Sequence, residues 1–416
     1  MRVLFVCDFF PPFTRGGGEI SAYWQAKKIS KKGIKVIILA PRFQDKLNIK
    51  KEEFKMHWYY MPFKLRVFTP IIFLNPFFIV YLFWQITNIV KKEKITLIHC
   101  QGKYSMPAVF LAKLFLGIPI ILSLRDYGGL CNHAFCLYKN KKACNIFSFF
   151  QKDFLVYYQN YIKKKNIFSF LAQLIMSYLG RINTLILSFF MKRADILVCI
   201  SSFIKDVYVT NGFDQRKLKI IYNFPPVTGF KYTRLTPQIS RRLRQYKYKI
   251  LYAGKLSLGK GANFLIDAAK EITKTKKDVL FIFCGNVYYP IKKNNSPQTL
   301  FLGRVENRVL LKIMSLSDLV CVPSVWSEPL SRVVLEAFFL KKPVLSSTTG
   351  GLPELVNRTR SWLFRPNKKD LKKTILQALG EQKTWSQKAK IAKDFLSNLE
   401  KNEMKKLLSL YRSILR

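Results

Sequence analysis

The chain contains the stretch Pro323-Ser324-Val325-Trp326-Ser327-Glu328-Pro329-Leu330, which continues as Ser331-Arg332-Val333-Val334-Leu335-Glu336-Ala337. Glu328 follows a proline-bounded loop, whereas Glu336 lies in an apolar run with helical periodicity. The two carboxylates stand eight positions apart, just over two helical turns, so both can face one pocket. A loop carboxylate and a helix carboxylate placed this way suit two neighbouring sets of hydroxyl groups, such as those of a sugar ring and a ribose.

Two glycine-rich turns accompany this stretch. In Ser347-Thr348-Thr349-Gly350-Gly351-Leu352-Pro353-Glu354 the missing Cβ atoms let backbone N–H groups approach an anion such as phosphate closely. The other turn, Gly254-Lys255-Leu256-Ser257-Leu258-Gly259-Lys260-Gly261, lies between a predicted strand and a predicted helix over Asn263–Ile272. Two solvated lysines beside a turn are the alternative interpretation, and the strand–turn–helix context favours an anion site over it.

A third glycine-rich turn lies near the N-terminus. It reads Phe9-Phe10-Pro11-Pro12-Phe13-Thr14-Arg15-Gly16-Gly17-Gly18-Glu19 and follows a predicted strand. Glycines here allow a tight turn and a close approach of the backbone to an anion. Backbone flexibility alone explains the composition equally well.

Short apolar runs without polar alternation recur along the chain, as expected of parallel strands covered on both faces. In the first half they are Val3–Cys7, Val36–Leu39, Leu97–Cys100, Ile120–Leu124, Ile196–Ile200 and Lys219–Tyr222. In the second half they are Lys249–Gly254, Leu280–Cys284, Thr299–Leu302, Leu319–Val322 and Val344–Ser346. Helical patterns separate the runs, which predicts an α/β fold with two doubly wound domains.

The polar, arginine-rich stretch Thr228–Lys247 interrupts the pattern and is interpreted as an interdomain linker. The predicted boundaries are residues 1–230 for the first domain, 231–248 for the linker, 249–395 for the second domain and 396–416 for a terminal helix. The tail from Trp385 onward is helical in pattern and strongly basic.

At the glutamate pair and the Gly-Gly-x-Pro-Glu turn the chain resembles the retaining glycosyltransferases of family 4, and the resemblance extends from Met1 to about residue 380. It implies the GT-B fold, in which two Rossmann-like domains face a cleft and the last helix crosses back to the first domain. The first domain is then expected to bind the acceptor and the second a nucleotide-diphospho-sugar.

The resemblance also implies roles for individual residues. Glu336 would hold the ribose hydroxyls, Glu328 would contact the donor sugar, and Lys255 and Lys260 would clamp the diphosphate. The family usually has arginine where this chain has Lys255, which keeps the charge but loses the planar bidentate fork. Further donor-binding residues are expected at Gly17, Gly18, Gly254, Gly303, Arg304, Ser331, Arg332, Val333, Gly350 and Gly351.

The chain departs from the family pattern after the strand Ile120–Leu124, where Arg125 stands in place of the usual histidine. Arginine can stabilise a departing phosphate or an anionic acceptor but cannot act as a general base near neutral pH. Asp126 is a candidate for orienting the acceptor or Arg125. A purely structural Arg125–Asp126 pair is the alternative.

The composition is strongly basic, with 71 Lys and Arg against 24 Asp and Glu and a formal net charge of +47. This imbalance favours an anionic partner. The basic residues are spread along the whole chain without a nucleic-acid motif, so a membrane surface carrying a lipid-linked or glycan acceptor is preferred to nucleic acid. A lysine-rich genome explains the excess equally well.

The compartment is predicted from the cysteines and the N-terminus. Several of the eight cysteines fall in predicted strands, which favours free thiols in a reducing cytoplasm. The apolar N-terminal run is too short for a signal peptide. Of two apolar segments, Val67–Val90 is interpreted as a domain helix. The other, Ile167–Met191, is interrupted by Gly180-Arg181 and is interpreted as one or two amphipathic helices. The expected location is the cytoplasm, peripheral on the inner face of the membrane.

Four side chains in one loop, Cys131, His133, Cys136 and Cys144, are possible zinc ligands, although their spacing matches no standard finger. The reaction itself is expected to need no metal and no cofactor.

The sequence therefore predicts a retaining, hexosyltransferase-type glycosyltransferase acting on a lipid-linked or cell-surface glycan. The alternatives are a catalytically silent, donor-binding subunit of an envelope complex, a phosphorylase or epimerase of the same fold, and a basic nucleic-acid-binding protein.

Overall fold

The computed structural model describes residues 1–14, 16–43, 54–61, 73–162, 166–226, 234–288, 290–293 and 296–415. The chain forms two compact units. The N-terminal unit comprises Met1–Tyr157, Asn166–Val227 and Lys401–Arg416, and the C-terminal unit comprises Tyr158–Lys165 and Thr228–Glu400.

The N-terminal unit contains a parallel sheet of seven strands in the order β3-β2-β1-β4-β5-β6-β7. The strands are β1 Arg2–Val6, β2 Lys35–Arg42, β3 Lys55–Tyr60, β4 Leu97–Cys100, β5 Ile120–Leu124, β6 Ile196–Cys199 and β7 Leu218–Ile220. The helices are α1 Gly17–Ser30, α2 Pro76–Glu93, α3 Met106–Leu116, α4 Phe135–Asn140, α5 Leu155–Tyr161, α6 Ile167–Met191 and α7 Ser202–Thr210. The part of α5 from Tyr158 onward belongs to the C-terminal unit. A π-helix, Phe150–Phe154, precedes α5.

The C-terminal unit contains a parallel sheet of six strands in the order β10-β9-β8-β11-β12-β13. The strands are β8 Tyr248–Ala253, β9 Val279–Cys284, β10 Thr299–Gly303, β11 Leu319–Val322, β12 Val344–Ser347 and β13 Ser361–Phe364. The helices are α8 Pro237–Arg244, α9 Ala262–Thr275, α10 Asn307–Leu316, α11 Arg332–Phe339, α12 Leu352–Leu355, α13 Lys368–Gly380 and α14 Trp385–Ser413. A short 3-10 helix, Gln382–Thr384, precedes α14.

The two parallel sheets confirm the predicted α/β fold class, and the inner strands match the predicted apolar runs closely. The strands β3 and β13, each at one edge of its sheet, were not predicted, although the opposite edge strands β7 and β10 were. In β3 the sequence KMHWYY is polar at its start and mostly half-buried or exposed, so it lacks the continuous apolar run of a central strand. Only four residues form β13, too few to give a periodic signal.

The stretch interpreted as an interdomain linker contains a helix, α8, which was not predicted from the sequence. The Thr236 side chain accepts a hydrogen bond from the Ile239 N–H at 3.4 Å, and Pro237 occupies the first turn, where its missing N–H costs nothing. Arginines 241, 242 and 244 follow in the last turn, where positive charge complements the helix dipole. The helix α8 is mostly polar and has one buried residue, Leu243, so its composition resembles that of a linker.

The apolar segment Ile167–Met191 is a single helix, α6, which decides between the one or two helices predicted there. Asn166 begins the helix by accepting a hydrogen bond from the Ser169 N–H at 2.8 Å. Gly180 lies where a Cβ would approach the Asn132 side-chain nitrogen to 2.8 Å, so the glycine allows a neighbouring loop to pack closely. Of the other apolar segment, the structure places α2 from Pro76 onward, and residues 62–72 lie outside the described part.

The last helix, α14, begins in the C-terminal unit and ends in the N-terminal unit, as the fold class predicts. Within the N-terminal unit Leu407 and Tyr411 are fully buried and pack in the core that contains Val3 and Phe5 of β1. The Tyr411 hydroxyl lies 2.6 Å from Nδ1 of the buried His99. This end of the chain is therefore part of the N-terminal core.

We expect Leu407→Ala to lower the free energy of unfolding by about 2–5 kcal/mol, because it removes buried methyl groups and leaves a cavity. Leu415→Ala is the control, since Leu415 is 40% exposed beyond the end of the helix, and its effect should stay below about 1 kcal/mol. Urea unfolding of both variants measures the difference. Equal effects would show that the helix end is not packed as described.

Candidate functional site

The loop between β11 and α11 holds Glu328 in a buried ion pair. Glu328 is only 7% exposed, and its Oε1 accepts hydrogen bonds from the Lys260 ammonium and, at 3.0 Å, from the Ser324 hydroxyl. The Lys260 nitrogen also lies 5.7 Å from the centre of the Trp326 ring. The structure thus brings together two residues that stand 68 positions apart in the chain.

The helix α11 presents Glu336, which is 2% exposed and carries its own cationic partner. Arg332, one turn earlier, donates to Oε1 of Glu336 from Nη2 at 2.8 Å and from Nε at 3.2 Å. The side-chain amide of Asn307, at the start of α10, donates to the same oxygen at 3.2 Å. None of the described residues donates a hydrogen bond to Oε2, so one carboxylate oxygen keeps its full accepting capacity.

Sequence reasoning missed Asn307 and the side-chain role of Arg332. A buried carboxylate requires partners, which could have directed attention to the arginine four residues earlier on the same helical face. The contact from Asn307 had no such signal, because α10 and α11 are separated by β11 and a loop.

Backbone packing around Glu328 explains the glycines of the Gly350-Gly351 turn. The Gly351 N–H donates to the Glu328 carbonyl at 2.6 Å. Gly350 has φ +59°, and a Cβ there would lie 2.3 Å from the carbonyl oxygen and 2.4 Å from the amide nitrogen of Glu328. A side chain at position 350 is therefore excluded by both conformation and space.

The turn Gly254–Gly261 packs against the same loop. The Gly259 carbonyl accepts hydrogen bonds from the N–H groups of Val325 at 3.0 Å and Trp326 at 3.1 Å. Gly261 has φ +65°, and a Cβ there would lie 1.8 Å from the Pro323 carbonyl oxygen. Both glycine-rich turns and the Glu328 loop thus form one interlocked assembly at the carboxyl edge of the sheet, where parallel α/β sheets bind their ligands.

A second glycine cluster lies at the ends of β8, β9 and β10. The Gly254 N–H donates to the Cys284 carbonyl at 2.9 Å, and the Gly285 N–H donates to the Gly303 carbonyl at 2.7 Å. A Cβ on Gly285 would lie 1.7 Å from the Gly254 carbonyl oxygen. Gly285 was not predicted, because its role depends on a strand that is adjacent only in the folded sheet.

The remaining predicted donor residues lie around this edge. Lys255 is exposed, with its ammonium 5.7 Å from the centre of the Tyr288 ring, and Arg304 is exposed after β10. Ser331 precedes the first residue of α11, Arg332, and its hydroxyl accepts a hydrogen bond from the Val334 N–H at 3.4 Å. Val333 follows in the first turn, so these residues line a helix N-terminus that favours negative charge.

In the N-terminal unit Arg125 is held by three side-chain amides. It donates to Asn223 Oδ1 at 2.6 Å, to Gln25 Oε1 at 3.0 Å and to Gln101 Oε1. Gly18, in the first turn of α1 that begins at Gly17, approaches it closely, since a Cβ there would lie 3.7 Å from Arg125 Cδ. This arrangement fixes the guanidinium beside the glycine-rich turn.

The alternative of a structural Arg125–Asp126 pair is wrong. Asp126 pairs instead with Lys103, whose ammonium lies 2.9 and 3.0 Å from its two carboxylate oxygens. The Gly128 N–H donates to Asp126 at 2.7 Å. The two side chains therefore have different partners.

Asp8, which sequence reasoning did not single out, anchors the end of β1. It accepts hydrogen bonds from the N–H groups of Tyr104 at 2.9 Å and Ser105 at 3.0 Å and from the Ser105 hydroxyl at 2.9 Å. Burial raises the pKa of this carboxyl above its ordinary value even though these donors oppose the rise. It fastens the β1 edge to the start of α3 and so positions the nearby turn.

The loop after β5 gathers Cys131, Cys136 and Cys144, whose ligand atoms lie within 4.8 Å of one another. His133 is not part of this cluster, which corrects the predicted set of four. Its ring stacks on Tyr157 with 4.1 Å between ring centres, and its Nε2 lies 2.9 Å from the Ser177 hydroxyl.

We expect Gly350→Ala to reduce the free energy of unfolding by about 1–3 kcal/mol, because it places a Cβ at positive φ against the Glu328 backbone. Gly380→Ala is the control: this glycine lies in α13, where a Cβ would meet no atom within 4 Å, so the change should be neutral or slightly stabilising. Denaturant unfolding measures both. An unaffected Gly350→Ala protein would contradict the close packing of this turn on Glu328.

Comparison with known proteins assigns the chain to a family. The family model for glycosyl transferases group 1 matches residues 238–395, and the model for glycosyltransferase family 4 matches residues 15–228. Among curated relatives, spore coat protein SA of Bacillus subtilis is 26% identical over 27% of this chain and 33% of its own length. An uncharacterized 42.6 kDa protein in the cps region of Klebsiella pneumoniae is 33% identical over 39% of this chain and 41% of its own length. The matches thus span well under half of these two relatives.

A longer match is to the yeast phosphatidylinositol N-acetylglucosaminyltransferase GPI3 subunit (Saccharomyces cerevisiae), 21% identical over 85% of this chain and 70% of that protein. Among solved structures, Anabaena HepE in complex with UDP-glucose has a TM-score of 0.65 at 17% identity and covers 98% of this chain and 100% of its own. Sucrose-phosphate synthase from Thermosynechococcus elongatus has a TM-score of 0.70 at 14% identity, covering 100% and 99%. Since the two family models together cover most of the chain and its whole fold matches these structures, the chain belongs to glycosyltransferase family 4 and has the GT-B fold.

Proposed function

We propose that this glycosyltransferase moves a sugar from a nucleoside-diphospho-sugar to a lipid-linked or cell-surface glycan, with retention of anomeric configuration. The observation that carries the proposal is the pair of buried carboxylates at the edge of the C-terminal sheet, each held by one cationic side chain. The bound UDP-glucose of Anabaena HepE, which has the same fold, supports a nucleotide sugar as donor.

Glu336 is the proposed ribose anchor. Arg332 and Asn307 hold its Oε1, which fixes the plane of the carboxylate and leaves Oε2 to accept hydrogen bonds from vicinal hydroxyls. The helix N-terminus at Ser331–Val333 and the glycine turn at Gly350-Gly351 then supply N–H groups for the phosphates. This division matches the chemistry of a ligand with hydroxyls at one end and negative charge next to them.

Lys260 and Lys255 are the proposed diphosphate clamp. The ion pair between Lys260 and Glu328 holds the ammonium beside the glycine turn before any ligand binds, so little reorganisation is needed when negative charge grows on the leaving phosphate. Glu328 in turn is proposed to contact the donor sugar. Both lysines act by charge, without the planar fork of arginine.

Retention is proposed to proceed by attack on the face from which the diphosphate leaves. The bond from the anomeric carbon to the phosphate oxygen breaks, the bond to the acceptor oxygen forms, and the acceptor hydroxyl proton passes to the leaving phosphate. No side chain must act as base in this step. That suits a chain whose Arg125 remains protonated and is bound to three amides.

A membrane-associated acceptor is supported by the helix α6. Across the described residues, this is the one helix long and apolar enough to cross a membrane, and 33% of its apolar window is buried. Its buried face carries polar residues, including Ser177, Arg181 and Asn183, whereas its exposed face is apolar. That exposed face consists of Ile167, Phe168, Leu171, Ile175, Met176, Leu179, Ile182, Leu185, Ile186 and Phe189.

This inverted amphipathic pattern suits contact with lipid rather than water. The net charge of +47 adds attraction to an anionic leaflet. We therefore place the protein on the cytoplasmic face of the membrane, with the acceptor bound by the N-terminal unit. The name of the yeast relative, a phosphatidylinositol-modifying glycosyltransferase subunit, is consistent with a lipid-linked acceptor.

The donor site is tested by thermal stabilisation of the purified protein with UDP, GDP and ADP and their sugars. One nucleotide class should raise the melting temperature. Glu336→Gln should weaken its binding about tenfold to a hundredfold, because hydrogen bonds to a charged group contribute about 1.5–3 kcal/mol. Asp278→Asn, an exposed carboxylate in the same unit, is the matched control and should bind as the wild type does.

Unchanged nucleotide affinity in folded Glu336→Gln protein would contradict the assignment of the ribose anchor. Donor binding without sugar transfer or donor hydrolysis would instead favour the catalytically silent subunit, an alternative kept open by Arg125 at the usual histidine position.

The membrane surface is tested by flotation with vesicles containing phosphatidylglycerol. The double variant Phe168→Glu/Ile175→Glu should lower partitioning at least about tenfold, since each buried apolar side chain contributes about 1.5–3 kcal/mol. Leu376→Glu, at an exposed apolar position in α13, is the control and should float like the wild type. Equal flotation of all three proteins would exclude the α6 face as the membrane surface.

A further inference from the structure

The loop between β5 and the π-helix buries three cysteines together. Cys131 and Cys144 are 0% and 6% exposed, Cys136 is 8% exposed, and their sulfur atoms lie within 4.8 Å of one another. Tetrahedral zinc with Zn–S bonds of about 2.3 Å separates its sulfur atoms by about 3.8 Å. Side-chain rotation alone can therefore close the cluster around one ion.

A carboxylate also contacts this cluster. Asp153, in the π-helix, is 0% exposed, and its Oδ2 accepts a hydrogen bond from the Cys131 thiol at 3.0 Å. Its Oδ1 accepts from the Cys136 N–H at 3.1 Å. Within the described part of the chain no lysine, arginine or histidine pairs with this carboxylate. A π-helical turn, which often marks a functional position, aims the side chain at the thiols.

A buried cationic side chain also lies beside the same cluster. Arg181 of α6 is 5% exposed and donates to the carbonyl of Cys144 at 2.6 Å and to the carbonyl of Leu130. Among the described residues it pairs with no carboxylate, and its Nε is buried without a hydrogen-bond partner. Burying an uncompensated guanidinium is costly, so the surroundings should carry negative charge.

Binding of a dication by the cluster would place compensating negative charge beside Arg181. Three thiolates and one carboxylate around Zn²⁺ carry a net charge of −2, which the adjacent Arg181 partly offsets. With neutral thiols and no metal, Asp153 and Arg181 are instead two buried charges that do not meet. A set of soft sulfur ligands in a closed, buried position is typical of structural zinc.

We propose that Cys131, Cys136, Cys144 and Asp153 form a structural Zn²⁺ site in the N-terminal unit. The thiols bind as thiolates and release their protons to solvent. The ion joins the loop after β5 to the π-helix and, through the Cys144 carbonyl, to Arg181 of α6. This loop begins at Arg125 and Asp126, so the site fastens the segment that carries them. It does not depend on the proposed transferase activity.

The test is the zinc content of the full-length protein, purified without added chelator and measured by inductively coupled plasma mass spectrometry. We expect about one zinc per chain in the wild type and in His133→Ala. Cys136→Ala and Asp153→Asn should retain at most a tenth of that after dialysis against a weak chelator. Cys284→Ala, which removes an equally buried thiol in the other unit, is the matched control.

A measurement on the wild type keeps the proposal testable if Cys136→Ala fails to fold. A strong chelator should lower the melting temperature, and added Zn²⁺, but not Mg²⁺, should restore it. Cobalt substitution should give the absorption of a tetrahedral thiolate site. Folded wild type with less than about a tenth of a zinc per chain, or with a disulfide between any two of the three cysteines, would overturn the proposal.

Discussion

The backbone and side chain of Glu328 are the constraint on which the C-terminal unit's functional edge depends. Its carboxylate holds Lys260, its carbonyl accepts the Gly351 N–H, and its backbone leaves no room for a side chain at position 350. Three segments distant in sequence therefore meet at one residue. A ligand site assembled in this way is rigid before the ligand arrives, which is the condition for electrostatic stabilisation without reorganisation.

Charge is distributed unevenly between the surface and this edge. The chain carries a large excess of Lys and Arg, yet its two site carboxylates are buried, each with a single cation. Burying a carboxylate is tolerable only because that partner and additional donors satisfy it. The exposed positive charge is left to attract anions at longer range.

The N-terminal unit combines the same sheet architecture with features of its own. Its helix α6 turns polar residues inward and apolar residues outward, the reverse of an ordinary surface helix. One inward residue, Arg181, reaches the carbonyl of Cys144 and so links this helix to the loop that follows Arg125. The proposed membrane contact, the cysteine cluster and the proposed acceptor side are therefore connected through one helix.

The sequence by itself determined the α/β class, the central strands, the motif glycines and the position of Glu336 in an apolar helical run, because these depend on local periodicity and on residue type. It also carried enough motif information to identify the family. The sequence did not predict the edge strand β3 or the helix α8 in the predicted linker, and it did not decide whether α6 continues through Gly180. Each of these features depends on packing that the hydrophobic pattern does not encode.

Only the tertiary structure decided which side chains meet. Asn307 contacts Glu336, and Asp126 pairs with Lys103 rather than with Arg125. Asp153, rather than His133, lies beside the cysteines. Each of these contacts joins residues from separate elements. The physical reason is that hydrogen bonds and ion pairs are set by distance and direction in space. Sequence spacing predicts these only within one helix or strand.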